Sequence, residues 1–318
     1  MANRLYANIT GLNNILYCSV VDSHGAPTAT ASITAETCGV QVGDHITVDL
    51  GYTNNHDQIF TGYVKSVEVK APEKYYTIVA SNDLIRAVDY FIASTNPDEP
   101  YEKTSIKAED LVGDLMDMAG LSNYDGDNTS FTFGINQPIK VNLVSSYDFS
   151  KYIADLLAWH LWCDKNGQVN FKNRKPYYTG GGTSGSFNHS NLVSISYVES
   201  DRELRNRVVV YGSDGVYAEA KASSPHLPAG FYKTAVVSAP GVIDNNAMAQ
   251  DAADYNLALY NRLTRRCSVS AIGDPSVYAR SNVAISSAAV GVSGSWYAYG
   301  VEHLWSKEGY LTNIDARK

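Results

Sequence analysis

The sequence predicts a β-rich α+β protein in which strand-forming segments at both ends flank a helix-containing middle. Three observations predict it. Residues alternate apolar and polar with a period of two through residues 1–92, rich in β-branched and aromatic types. Two segments with apolar residues at helical spacing follow in the middle. Strand patterns then return from Leu192 to the C-terminus, interrupted by one further helical segment.

The first region opens on Val42-Gly43-Asp44, a turn, and continues into the alternating run His45–Leu50. Ile59–Val69 and Tyr75–Ala80 repeat that alternation, and Gly, Asn-Asn and Ala-Pro punctuate it. One apolar face per strand is the pattern of antiparallel strands around a core, so a small barrel or sandwich is expected here.

In the middle, Leu111, Val112, Leu115, Met116 and Ala119 predict a helix that Gly120 can cap at its C-terminus. Phe149, Tyr152, Ile153, Leu156 and Leu157 predict a second over about 148–158. The strands 161–164 and 168–171 flank Lys165-Asn166-Gly167, where Asn-Gly suits a hairpin turn because it tolerates positive φ. Residues 95–178 therefore read as a small mixed α/β unit, and the Gly-Ser-rich run Thr179–Ser186 as a linker or surface loop. Beyond it, strands are expected at 192–198 and 207–212, then a helix at 247–264 capped by the Asp244-Asn245-Asn246 group. Strands at 267–272, 283–286, 295–304 and 309–315 complete the chain.

Length and composition narrow the function. At 318 residues the chain suggests about two or three compact units. Its 44% hydrophobic and 18% charged residues suit a folded globular protein. No apolar run is long enough to span a membrane, and the start Met1–Asn8 lacks the apolar stretch of a secretory signal. Cys18, Cys38, Cys163 and Cys267 are scattered, as expected of reduced, partly buried thiols. The net charge of -8, with Arg202/Arg205/Arg207 and Arg262/Arg265/Arg266 as the densest basic groups, disfavours nucleic-acid binding as the main task.

No catalytic, cofactor-binding or metal site is expected. Asp114 and Asp117 read as a solvated helix face rather than a glycosidase pair. Gly182-Thr183-Ser184-Gly185 and Gly291-Val292-Ser293-Gly294 miss the strand–turn–helix setting of a nucleophilic serine. His45 and His56 are eleven residues apart, too far for a local metal motif. Asp125-Gly126-Asp127-Asn128 has Asn136 where a calcium loop needs its terminal Glu. His303 reads as a buried histidine bonded to a neighbouring strand or loop. Trp159 and Trp162 read as core; Trp296 and Trp305 sit on expected strands. The abundance of tyrosine keeps a glycan-binding surface open as an alternative.

The last part of the chain carries a resemblance. Ala271-Ile272-Gly273-Asp274-Pro275, the strand Asn282–Ile285, Trp296–His303 and Gly309–Ile314 resemble the closing barrel of the phage baseplate or tail hub family, the late control protein D group included. Val42–Asp44 through Phe60–Val64 is similar to that family's first barrel. Ser146–Asp164 with Asn166–Val169 is similar to its middle unit, and Leu204–Gly212 to the strand opening its second barrel. The sequence departs from the family where a Gly-Asp turn is replaced by Tyr278–Asn282, and where a Gly after the second helix gives way around Trp159-His160. Beside the resemblance, Phe60–Ala80 and Trp296–Ala316 form a faint internal repeat whose register slips by one or two residues.

The resemblance implies two tail-tube-like antiparallel β-barrel domains with a small mixed α/β domain between them. The expected bounds are 1–94 for the first barrel, 95–180 for the mixed unit and 181–318 for the second barrel with one long helix. It further implies a non-enzymatic virion protein without cofactors, made in the host cytoplasm and assembled at the tail tip or baseplate. Its partners would be two further copies in a homotrimer, the tail tube protein, a central spike or tip protein and other baseplate proteins. DNA would be met only in transit through the channel, with no stable membrane insertion. Three chains would present six barrels, matching a sixfold tube to a threefold spike. The alternatives are a tail-associated cell-wall glycan hydrolase and a glycan-binding receptor module.

Overall fold

The computed structural model describes residues 4–72, 74–93, 101–129, 131–173 and 182–318. The start Met1–Asn3, the expected boundaries near 94 and 180, and the linker residues Thr179–Gly181 lie outside the described residues.

Six strands form the first unit: β1 (Leu5–Ile9), β2 (Leu12–Ser23), β3 (Thr30–Cys38), β4 (His45–Tyr52), β5 (Asn55–Lys70) and β6 (Tyr75–Asn82). They pair in the order β1-β4-β5-β6-β3-β2, and β1 returns to β2 through Ile9 and Leu12, so the pairings close a ring. The alternation read in the sequence is the cause. On β4, Ile46, Val48 and Leu50 are buried while His45, Thr47 and Asp49 face outward. With Ile33, Phe60 and Ile78 they fill one core.

Six later strands form a second set: β7 (Gly185–Phe187), β8 (Leu192–Ser200), β9 (Thr264–Ile272), β10 (Asn282–Ser287), β11 (Val292–Ser306) and β12 (Gly309–Arg317). Their order is β7-β10-β11-β12-β9-β8, around a core that includes Phe187, Val283, Trp296 and Ile314. The two sets are joined by antiparallel pairing of β2 with β11, from Tyr17–Ser306 to Ser23–Gly300, and so make one twelve-stranded sheet.

The remaining described residues build a central unit. It carries α1 (Ile85–Asp89), α2 (Ala108–Met118), α3 (Ser146–Leu156) and α4 (Asn246–Tyr260). The apolar stripe of α2 is buried, and Ser145 caps α3 by accepting the Asp148 amide at 2.9 Å. The expected hairpin is present as His160–Cys163 against Val169–Lys172, with Gly167 at φ +84 in its turn. A three-stranded sheet of Arg207–Tyr211, Tyr217–Lys221 and Thr234–Ser238 packs with α4.

Here the structure departs from the expected bounds. The expected second barrel spans residues 181–318 and includes the strand at 207–212 and the helix at 247–264. Instead Val208, Val210, Ala249 and Ala253 share one core with Leu111, Leu115, Ile153 and Phe171 of the central unit. The physical reason is that residues 201–263 leave the sheet between β8 and β9, and the apolar faces they carry are buried against the central helices.

The two strand sets correspond strand for strand. β3-β6-β5-β4 and β9-β12-β11-β10 have the same neighbours, and β2 and β8 lie next in each order. Even the irregularity matches. Val64 pairs with Ala80 and Ser66 with Val79, skipping one residue; Ala298 pairs with Ala316 and Gly300 with Asp315, again skipping one. Beyond the equivalent pairs Lys70–Tyr75 and Leu304–Leu311 the hairpin holds four residues in the first set and six in the second, which is why the sequence repeat slips in register.

Candidate assembly site at the joint between the strand sets

The joint is built around Tyr278–Asn282 and Trp159-His160, the two segments where the sequence departs from the expected glycines. Just before β4, Gly43 stands at φ +93 and donates its amide to Val64 O at 2.9 Å. At the equivalent point before β10, Arg280 stands at φ +69 and donates its amide to Ala298 O at 2.6 Å. A side chain at such a φ costs about 1–2 kcal/mol, so this arginine needs compensation. It has it. The Arg280 guanidinium donates from Nη1 to both Asp22 carboxylate oxygens at 2.9 and 2.8 Å, and from Nη2 to Ser23 O at 3.0 Å. Its side chain is 4% exposed and lies over the Trp162 ring. One residue therefore ties β2, the β9–β10 loop and the central hairpin together.

His303 lies in the same joint, buried and opposite Val20 of β2. Its Nε2 sits 2.8 Å from Val277 O, and a carbonyl can only accept, so Nε2 carries the proton. Nδ1 is then left to accept from the Tyr310 hydroxyl at 2.6 Å. Burial holds the imidazole well below its ordinary value, to about 4, so it is neutral near pH 7. This is a structural histidine. Further bonds lock the central hairpin to the sheet: His160 Nδ1 with the Tyr297 hydroxyl at 3.1 Å, and Gln58 Nε2 donating to Lys165 O at 2.9 Å. A cavity of about 210 Å³ remains between them, with Arg280, Lys165, Asn82 and His303 in its wall.

On the opposite side of the sheet, a shallow concave face crosses β8, β9, β12, β11 and β2. Ser194, Ser196, Ser268, Ser270, Asn313 and Glu302 are among its lining residues. Glu302 accepts from Ser19 Oγ and Asn313 Nδ2, both at 3.0 Å. Val21, Ile195, Val269, Val301 and Ile314 line it as well, so the face is mixed, with hydroxyl and acidic groups set among apolar ones.

Comparison with solved structures follows this geometry. The 43 kDa tail protein of prophage MuSo2 from Shewanella oneidensis superposes with a TM-score of 0.71 at 13% identity, over 99% of this chain and 98% of that one. The chain has the fold of phage tail proteins. A tail protein from Neisseria meningitidis MC58 matches over 100% and 97% of the two chains, with a TM-score of 0.71 and 11% identity. The E. coli c3393 protein, described as a type VI secretion component resembling T4 tail proteins gp27 and gp5, gives 0.59 at 8% identity, over 98% of this chain and 76% of that one. No protein-family model matches the chain, and a search of curated proteins gives no match.

The tail-protein fold disperses the residues weighed as chemistry. Asp114 accepts from the Tyr101 hydroxyl at 3.0 Å and pairs with Lys103 at 2.8 Å, while Asp117 is exposed. Asp125 and Asp127 both take Lys172, at 2.7 and 3.0 Å, so a lysine fills what a cation would need. His45 pairs with Asp83 and His56 with Asp49. Among the described residues, no group of three or more His, Cys, Asp or Glu side chains is placed to hold a metal. Ser184 bonds Ser281 at 2.7 Å, with no histidine partner in that contact. All four tryptophans are buried, so they form no exposed sugar platform. Arg207, Arg265 and Arg266 are paired with Glu219, Glu199 and Asp315. The four cysteines are free thiols, and burial raises those of Cys18, Cys163 and Cys267, the last to about 11. No helix among the described residues is long and apolar enough to cross a membrane.

Arg280 is the residue that sequence reasoning missed. The only signal was its place in the Tyr278–Asn282 segment, where a Gly-Asp turn was expected. The second departure behaves alike: Ala158, just after α3, takes φ +50, where glycine is the usual residue.

Proposed function

We propose that the chain is a structural, non-enzymatic virion protein of a phage-type tail: a trimeric hub at the tail tip or baseplate. It joins a sixfold tail tube to a threefold spike or tip and leaves an axial channel through which DNA passes. Each strand set is a tail-tube-like barrel. Residues 83–184 and the excursion 201–263 form the unit between them.

The observation that carries this reading is the duplication of strand order within one chain. A closed ring of three chains then contains six equivalent strand sets, which is what a threefold-to-sixfold adaptor requires. The fold likeness to tail proteins along nearly the whole chain supports it. The net charge of -8 suits a channel wall that does not retain a phosphate backbone, because like charges repel at short range. Buried free thiols suit synthesis in a reducing cytoplasm. No observation in the structure favours the glycan hydrolase or the glycan-binding module.

The test is electron microscopy of the purified chain together with its native mass. A threefold particle with six lobes around a hole is expected. A compact monomer at every concentration would remove the hub reading.

A further inference from the structure

Pairing of β2 with β11 uses two strand edges, and each edge has a counterpart in the other set. Following the pairings outward, Val20 of β2 faces Ala31, Ala31 faces Ala80, and Ala80 corresponds to Ala316. Ala316 faces Cys267, which faces Tyr197 of β8. Tyr197 is therefore the counterpart of Val20, and Ser194–Ser200 the counterpart of Tyr17–Ser23. On the other strand the shared bulge makes Ser66 the counterpart of Gly300 and Val69 the counterpart of His303.

Among the described residues both counterparts are unpaired. β8 bonds only β9, and the pairing of β4 with β5 ends at Tyr63, so Ser66–Lys70 is bonded to β6 alone. Their apolar side chains stand in solvent: Val69 is 61% exposed and Val198 57%. Free edges with exposed valines invite another strand. Lys65 and Lys70 bracket Glu68 on the β5 segment and Glu199 and Asp201 mark the end of β8, but Lys65 pairs with Asp89, Glu199 with Arg265 and Asp201 with Lys233, so the edges match by register rather than by charge.

We propose that a second copy of this chain docks edge to edge, Ser194–Ser200 of one copy pairing antiparallel with Ser66–Lys70 of the next. The register is that of the internal joint, with Tyr197 opposite Val69 and Glu199 opposite Val67. The proposal rests on the hub reading and supplies its contact. One difference follows. The internal joint has Arg280 clamped on Asp22, whereas the copy-to-copy joint has Gly43 at the equivalent place and Glu199 already near Arg265 at 3.5 Å. The intermolecular joint is therefore the weaker of the two, and dissociation leaves the chain's own joint intact.

The test mixes full-length Val69→Cys and Tyr197→Cys chains, both carrying Cys38→Ser, and treats them with a short bis-maleimide linker. Native mass is read on the wild-type chain. A cross-linked pair is expected from the mixture. It should be several-fold weaker from either variant alone, and from Val69→Cys with Val193→Cys, whose site lies about 13 Å further along the strand. A wild-type trimer whose mixture gives no more cross-link than this off-register control overturns the edge pairing and leaves the hub reading standing. A register-specific cross-link in an open chain of copies keeps the pairing and overturns the closed hub. A wild-type monomer at every concentration, with no cross-link, overturns both.

Discussion

The two strand sets have the same strand order and differ in how they are closed and joined. In the first, the loops are short, β1 runs antiparallel to β4, and Ile9 meets Leu12 to complete the ring. In the second, β7 runs parallel to β10, the central unit precedes β7, and residues 201–263 depart between β8 and β9. Strand order is therefore set by alternation and hairpins, which both sets have. Position in the assembly is set by a few residues that break the equivalence, and the sharpest break is Gly43 against Arg280.

Removing that arginine should have the largest effect. Arg280→Ala leaves Asp22 without its bidentate partner beside a buried cavity, and breaking one side of a buried pair costs about 3–5 kcal/mol. Asp22 keeps a side-chain exposure of 25%, which places the expected loss near about 3 kcal/mol. Urea unfolding gives the value. Arg280→Gly should be less harmful than Arg280→Ala, because glycine also relieves the positive φ. A double-mutant cycle with Asp22→Asn isolates the pair. A loss below about 1 kcal/mol for Arg280→Ala would mean that β2–β11 pairing alone holds the joint.

His303 has no histidine counterpart in the first set, where Val69 occupies the matching place, so it allows a second test of the same inequality. Its folded value of about 4 lies below the ordinary 6.5, so the unfolded chain binds the extra proton first as pH falls. The stabilisation is complete above about pH 6.5 and is lost as pH falls toward 4, by roughly 3 kcal/mol in all. His24, lowered to about 3 chiefly by burial and then by Arg280, adds a loss reaching lower pH. Denaturant midpoints measured between pH 7 and 4 should fall, and His303→Gln should flatten part of that slope. An unchanged slope would show that His303 does not titrate within the folded joint.

How much of this was legible beforehand depends on the kind of interaction. The strands His45–Leu50, Ile59–Val69 and Gly309–Asp315 and the helices α2 and α3 can be read because burial on one face writes a local period into the sequence. The packing of α4 was not legible. Its run of alanines at 247–253 is small and apolar without an emphatic stripe, so the sequence leaves open which core it joins. Nor was the joint. The contact of Asp22 with Arg280 spans 258 residues, and no local pattern marks either partner. A non-glycine in a turn that asks for glycine was the one trace it left.

That trace can be tested from the opposite side, with the smallest expected effect. Gly43 sits at φ +93, and a Cβ built there would meet no atom within 4 Å. Gly43→Ala should therefore cost only the backbone term, about 1–2 kcal/mol, read as a small downward shift in the urea midpoint. The amide that bonds Val64 O is kept, so the turn should survive. Arg280 already shows that a side chain can occupy this conformation when something holds it. If Gly43→Ala instead cost as much as Arg280→Ala, glycine would be required there for a reason other than φ, and the two turns would not be equivalent. If it cost nothing, the positive φ would not strain an L-residue in this turn, and the Asp22 contact would not be needed to keep Arg280 in place.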